Sequence, residues 1–298
     1  MVSITGLNSP TDRNGSEGTI VDGEPVGTFL GRPLVSILLI AYEQEDLIAD
    51  AVRGALAQTY SPLEILISDD SSSDRTFEVI EQTVRSYTGP HRIIINRNER
   101  NQGISAHLSK LVRMSRGELL FVAAGDDVST PIRCSRVVDA WLEHGRRPDL
   151  IATDLVELDH DGRTHGRISP TELSPYHTID DWLANRPYVV GASHTWSRRL
   201  FDRFGDMMPG AMAEDQIMTF RAITSGGAIS LREPLVLYRD GGLSRKRRWK
   251  SVGDFVARIQ RTNQFALAEV APFMHHPETA GVGPRNREAR GAKKAPEN

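Results

Sequence analysis

Four times between Leu34 and Trp141 a short apolar run gives way to an amphipathic stretch, and this alternation constrains the fold more than any other feature of the chain. Val35–Ile40 is almost continuously apolar, the pattern of a strand buried on both faces. Asp46–Gln58 then sets Leu47, Ile48, Ala51, Val52, Ala55 and Leu56 on one helical stripe. Leu63–Ser68 and Arg92–Asn96 read as the second and third strands, and Leu119–Ala123 as the fourth. Phe77, Val79, Ile80 and Val84 mark one intervening helix, and Ile104, Leu108, Leu111 and Val112 another. Thr130-Pro131 opens a fourth helix with proline at its first position. Strand and helix in strict turn predict an α/β domain with a mainly parallel sheet flanked by helices.

The second half is less regular. Leu150–Glu157 reads as a strand and Asp161-Gly162 as a turn. Ile179–Ala184, Arg198–Phe204 and Asp215–Thr224 read as helices, Ala228–Arg232 and Pro234–Tyr238 as two short strands. The pattern extends one sheet and does not demand a second. Residues 1–32 and 275–298 lack periodicity and are expected to be a disordered leader and tail. The folded part is expected to be 33–274: a regular half at 33–130, a less regular half at 131–250, and an amphipathic C-terminal helix at 251–274.

Asp69-Asp70 and Asp126-Asp127 each follow directly on a strand. In open α/β sheets ligands bind beyond the carboxyl ends of the strands, so both pairs should line one crevice. A carboxylate there can accept an N–H from a base or hold a hard divalent cation that neutralises phosphates. One such pair alone is more often a solvated turn; two in the same relative place favour a site. Other classes drop out. A single cysteine, Cys134, excludes a disulfide framework and a multi-cysteine zinc site. A net charge of −3 gives no reason to expect a nucleic-acid partner. No apolar run is long enough to span a bilayer, and Met1–Gly31 lacks a secretory pattern, so a cytoplasmic location is expected. The P-loop motif is absent, and so is the dinucleotide fingerprint after the first strand.

Taken in order, these segments resemble family 2 glycosyltransferases, which have the GT-A fold. Strand Val35–Ile40 with Ala41-Tyr42-Glu43 is similar to that family's opening, and Ser68-Asp69-Asp70-Ser71-Ser72-Ser73-Asp74 to its Asp-Asp-Gly-Ser segment. Asn98–Gly103 resembles its Asn-x-Gly helix start. Gly125-Asp126-Asp127 with Pro131 resembles its metal motif, and Glu214-Asp215-Gln216 its Glu-Asp motif. The resemblance covers about Pro33 to Ser244.

The resemblance implies an inverting transfer from a nucleotide-diphosphate sugar (UDP, dTDP or GDP type) to a saccharide or lipid-linked acceptor. It implies Asp70 as acceptor of a base N–H, with Ala41, Tyr42 and Glu43 around the base. Asp127 would hold Mn²⁺ or Mg²⁺, and Asp126 would contact ribose or sugar. Asp215 would be the general base, with Glu214 and His194 on the acceptor side. Arg239 and Arg245 would bind the diphosphate, and Asp240 stands near where the family often has a histidine. The basic run Arg245–Lys250 could close over the donor or touch an anionic membrane peripherally from the cytoplasmic side. Two alternatives stay open. A nucleotidyltransferase should carry a glycine-rich loop and a basic residue after the first strand, where this chain has Ala41-Tyr42-Glu43-Gln44-Glu45-Asp46. A sugar-nucleotide-binding protein without catalysis would have no need to keep both Asp127 and Asp215.

Overall fold

The computed structural model describes residues 31–211 and 213–239, together with the strand at 19–21. In chain order the strands are β1 (Thr19–Val21), β2 (Val35–Ala41), β3 (Leu63–Asp69), β4 (Arg92–Arg97), β5 (Leu119–Ala124), β6 (Val128–Ser129), β7 (Leu150–Leu158), β8 (Thr164–Ile168), β9 (His194–Ser197) and β10 (Ala228–Arg239). The helices are α1 (Ile48–Leu56), α2 (Thr76–Arg85), α3 (Ile104–Met114), α4 (Arg133–Glu143), α5 (Ile179–Ala184), α6 (Arg198–Phe204) and α7 (Glu214–Ile223).

All the strands join one sheet in the order β1-β4-β3-β2-β5-β9-β7-β10-β6, with β8 paired to β7. The stretch β4-β3-β2-β5 is wholly parallel, as the apolar runs demand. Side chains alternate across it. Ile37, Leu39, Ile65, Ile67 and Phe121 face one core with α1, α2 and α4. Leu38, Leu66, Leu120 and Val122 face the other with α3 and α7. Each fully buried aliphatic side chain contributes roughly 1.5–3 kcal/mol, and truncating Leu38, which has no exposed surface, should cost about 2–5 kcal/mol.

Topology decides where the site falls. The register pairs Ala41 with Asp69 and Asp69 with Arg97, so β2, β3 and β4 end level at one edge. β5 ends there too, Ile40 pairing with Ala124. β9 runs antiparallel to β5 and β7, so it begins at that edge, and the residues just before it lie over the same strand ends. β10 is parallel to β7 and finishes there, while its antiparallel pairing with β6 sets Leu237 against Val128. Arg239 thereby arrives beside the second acidic pair.

Three expectations need correction. The two short strands at 228–232 and 234–238 are one strand, β10, with register shifts at Pro234. Proline cannot donate to the ladder, and the irregularity absorbs it without ending the strand. Helix α4 starts at Arg133, with Ile132 as its N-cap, so Pro131 precedes the helix. The leader contributes a strand: Thr19-Ile20-Val21, all β-branched, pairs antiparallel with β4 at the sheet edge. The expected C-terminal helix at 251–274, the tail at 275–298 and the basic run at 245–250 lie outside the described residues. Among the described residues no helix is long and apolar enough to cross a membrane.

Candidate active site

One cleft of about 640 Å³ opens over the carboxyl edge of the sheet. Ala41, Tyr42, Asp70, Asp126, Asp127, Glu214, Asp215 and Arg239 all line it. The strand ends bring Asp70 and the second acidic pair there, and the first turn of α7 supplies the opposite wall.

The two members of the first pair have different work. Asp69 is fully buried and accepts from the backbone N–H and hydroxyl of Ser72, closing the turn after β3. Asp70 faces the cleft. Its carboxylate accepts from Asn98 Nδ2 at 2.7 Å, from the Gln102 N–H at 2.9 Å and from the Gly103 N–H at 2.9 Å. Three bonds leave a carboxylate with room for about one further donor. Gly103 can present its N–H because it sits at φ 77°, a conformation that favours glycine. Beneath lies a polar network that the sequence reading missed. Lys110 Nζ donates to Asn96 and Asn98, Asn96 donates to Ser68 Oγ, and His107 Nε2 meets the same Ser68 Oγ at 2.6 Å. Burial lowers His107 to about 4, so at neutral pH it is an uncharged part of the cleft floor.

Asp127 is the buried member of the second pair. Its Oδ1 accepts from the Arg239 backbone N–H at 2.9 Å. Burial pushes its carboxyl well above the usual range, and Asp126 adds to the push; the Arg239 N–H, Arg133 and Arg239 act against it. Arg239 itself corrects an expectation. Its guanidinium donates to the Asp126 carbonyl at 3.1 Å and to Asp50 Oδ2 on α1 at 2.8 Å. With 6 % of its side chain exposed, it braces the acidic loop and does not present a fork to a diphosphate.

Arg133 is a second cation that sequence reasoning passed over. It is fully buried beside Asp127 and donates to Ser129 Oγ and to the Ala192 and His194 carbonyls. The one signal for it was that it is the first cation after the acidic pair. His194 is corrected as well. It begins β9 with no exposed surface, and burial lowers it to about 3. A ring sealed in the core cannot meet an acceptor. Glu43 is likewise not among the cleft residues: it sits at φ 52° beside the cleft mouth, and its carboxylate accepts from Ser73 Oγ. Arg245 lies outside the described residues.

The far wall carries Glu214 and Asp215. Burial first, and Asp215 second, push Glu214 up to about 8, so it is protonated at neutral pH. Asp215 is also raised by burial, but the Gln216 N–H and the charge of Arg186 hold it back. Burial thus raises both members of the pair. Gly191 permits this packing: a Cβ there would sit 2.7 Å from Glu214 Oε1.

The profile of Glycosyl transferase family 2 matches residues 36–203, and the chain belongs to that family. It is 29% identical over 143 residues to a putative glycosyltransferase, EpsE, of Bacillus subtilis, covering 48% of this chain and 50% of EpsE. The chain thus spans about half the length of that relative. Its fold is similar to that of TarS from S. aureus in complex with UDP-GlcNAc (TM-score 0.59, 17% identity, 79% of this chain and 66% of the other). It is also similar to the mannosyltransferase PcManGT from Pyrobaculum calidifontis in complex with GDP-Man and Mn²⁺ (TM-score 0.54, 14% identity, 86% and 68%). Both are GT-A structures, and the mixed α/β sheet described above is that fold.

Proposed function

We propose that this cleft transfers a sugar, with inversion, from a nucleotide-diphosphate sugar to the hydroxyl of a saccharide or lipid-linked acceptor, in polysaccharide, glycolipid or glycoconjugate assembly. The observation that carries the reading is the presence of Asp70, Asp127 and Asp215 on one cleft. Asp70, already latched to the loop before α3, accepts one N–H of the base, with Ala41 and Tyr42 beside it. The nucleotide is of the UDP, dTDP or GDP type, since each of those bases carries such an N–H.

The acidic loop suits a divalent cation. Asp127 is a carboxyl whose charge is unfavourable where it stands, with one oxygen supported by an N–H and Asp126 adjacent. Among the described residues no group of three metal-ligating side chains occurs. Such a site fits Mg²⁺ or Mn²⁺, which take one or two protein carboxylates and complete their shell from phosphates and water. When bound, the cation would neutralise charge on the leaving diphosphate.

Asp215 takes the proton of the acceptor hydroxyl as that oxygen forms its bond to the anomeric carbon. The bond from that carbon to the phosphate oxygen breaks, and the nucleoside diphosphate leaves. A carboxylate raised by burial is a better base for this step than one in water. One base suffices, unlike the carboxylate pair of a glycosidase. Glu214, holding its proton, stays neutral and adds no second negative charge next to the base. The test is calorimetry of UDP, dTDP and GDP with Mn²⁺ and with EDTA, followed by assays of the matching sugar nucleotides for product. Binding that requires the cation, with product formed, supports the reading. Binding without product favours a silent sugar-nucleotide-binding protein.

A further inference from the structure

We propose that Tyr188 is the acceptor platform of this site, an aromatic face on which a saccharide ring packs beside Asp215. The inference rests on the transfer reaction proposed above and assigns its acceptor subsite.

Tyr188 is 58% exposed, yet it lines the cleft. Its backbone is not loose. The Tyr188 N–H donates to Thr171 Oγ1 at 2.9 Å, and the Thr171 N–H donates to the Tyr188 carbonyl at 2.9 Å. The preceding residues are fixed to the start of α7. Gln216 Nε2 donates to the Pro187 carbonyl at 2.9 Å, and Arg186 Nε donates to Gln216 Oε1 at 3.1 Å. Gln216 directly follows Asp215. Three residues past the tyrosine, Gly191 packs against Glu214. The segment bearing Tyr188 is therefore attached on both sides to the turn bearing the base, and its backbone is held at a set place relative to it.

The chemistry of this wall selects its occupant. The cleft that Tyr188 lines also holds the apolar Ile104, Val189, Val190 and Ala211, and the carboxyl groups of Glu214 and Asp215 come from the turn to which its segment is tied. An aromatic face with its negative quadrupole suits the polarised C–H face of a pyranose. Carboxyl groups at its edge suit the ring's hydroxyls. A backbone fixed in advance also lowers the ordering cost of binding. A lipid chain would use the apolar wall but leave the carboxyl groups without partners.

The experiment is saturation-transfer NMR on the full chain with UDP, dTDP or GDP and Mg²⁺, using methyl hexosides and octyl β-glucoside as probes. Wild type should show contacts from the sugar-ring protons of at least one probe. Tyr188→Ala should weaken that binding about tenfold, the size of one aromatic contact, while nucleotide affinity is unchanged. Tyr188→Phe should restore the ring contacts, since the face and not the hydroxyl is used. Ring contacts equal in wild type and Tyr188→Ala, contacts from the octyl chain alone, or no glycoside contact would each overturn the platform. If no nucleotide binds wild type with the cation, the proposed transfer fails and the platform fails with it.

Discussion

At the scale of single residues, the two acidic pairs differ: only Asp70 of the first lines the cleft, whereas both members of the second do. Asp69 closes a turn while Asp70 opens onto the cleft; Asp127 is anchored by the Arg239 N–H while Asp126 lies beside it. Asp127→Ala should abolish the dependence of nucleotide affinity on Mn²⁺, read by calorimetry against EDTA; a variant that keeps the dependence would move the cation elsewhere. Arg239 gives a second test. Because its guanidinium joins the Asp126 carbonyl to Asp50, Arg239→Met should slacken the loop. Asp50 is half exposed, so the loss is set mainly by the bond to the Asp126 carbonyl, roughly 1.5–3 kcal/mol for a hydrogen bond to a charged group, and melting temperature should fall together with cation-dependent nucleotide affinity. A direct diphosphate ligand would instead lower affinity with melting unchanged.

At the scale of elements, the first turn of α7 depends on the segment before β9. Gly191→Ala would set a Cβ 2.7 Å from Glu214 Oε1, the far end of a flexible side chain, so the Glu214 carboxyl must swing aside from its place next to Asp215. Turnover should drop while cation-dependent nucleotide binding persists, because Asp70 and Asp127 sit on other elements. Unchanged turnover would show that the approach of Glu214 to Gly191 is incidental. Legibility followed the same division. Helices α1, α3, α5 and α6 and strands β2 to β5 were readable because their apolar periodicity is local. So was the convergence of Asp70 and Asp127, since topology sets strand ends at one edge; Asp215 joins them from a helix start. The brace between Arg239 and Asp50 was not readable, since its partners are 189 residues apart. Strand β9 is only four residues long, and nothing in His194-Thr195-Trp196-Ser197 separates a buried edge of the core from an acceptor wall. Arg133 stayed hidden because burying an arginine beside an aspartate is a tertiary fact.

At the scale of the whole molecule, the buried acid ties stability to pH. Glu214 has its folded value raised from 4.5 to about 8. Between those values the folded chain keeps a proton that the unfolded chain has released. The unfolded state then binds fewer protons, so stability falls as pH rises through this window. Glu214→Gln cannot lose a proton. Its melting temperature should match wild type near pH 5 and exceed it by about 3 °C or more above about pH 8, where roughly 1 kcal/mol moves a domain of this size by 2–4 °C. Equal melting at both pH values would mean that Glu214 ionises normally.

The central claim is that the cleft performs sugar transfer with Asp215 as base, and one variant tests it most directly. Asp215→Asn keeps shape and polarity but cannot take a proton. The measurement is turnover of a sugar nucleotide per folded molecule, with melting temperature followed on the same sample. The account predicts normal melting, intact cation-dependent nucleotide binding and turnover lower by about 10²–10⁴-fold, the usual size of a general-base contribution. Lowered melting with turnover per folded molecule intact would contradict it, and would make Asp215 a residue that supports the start of α7 and takes no part in the chemistry.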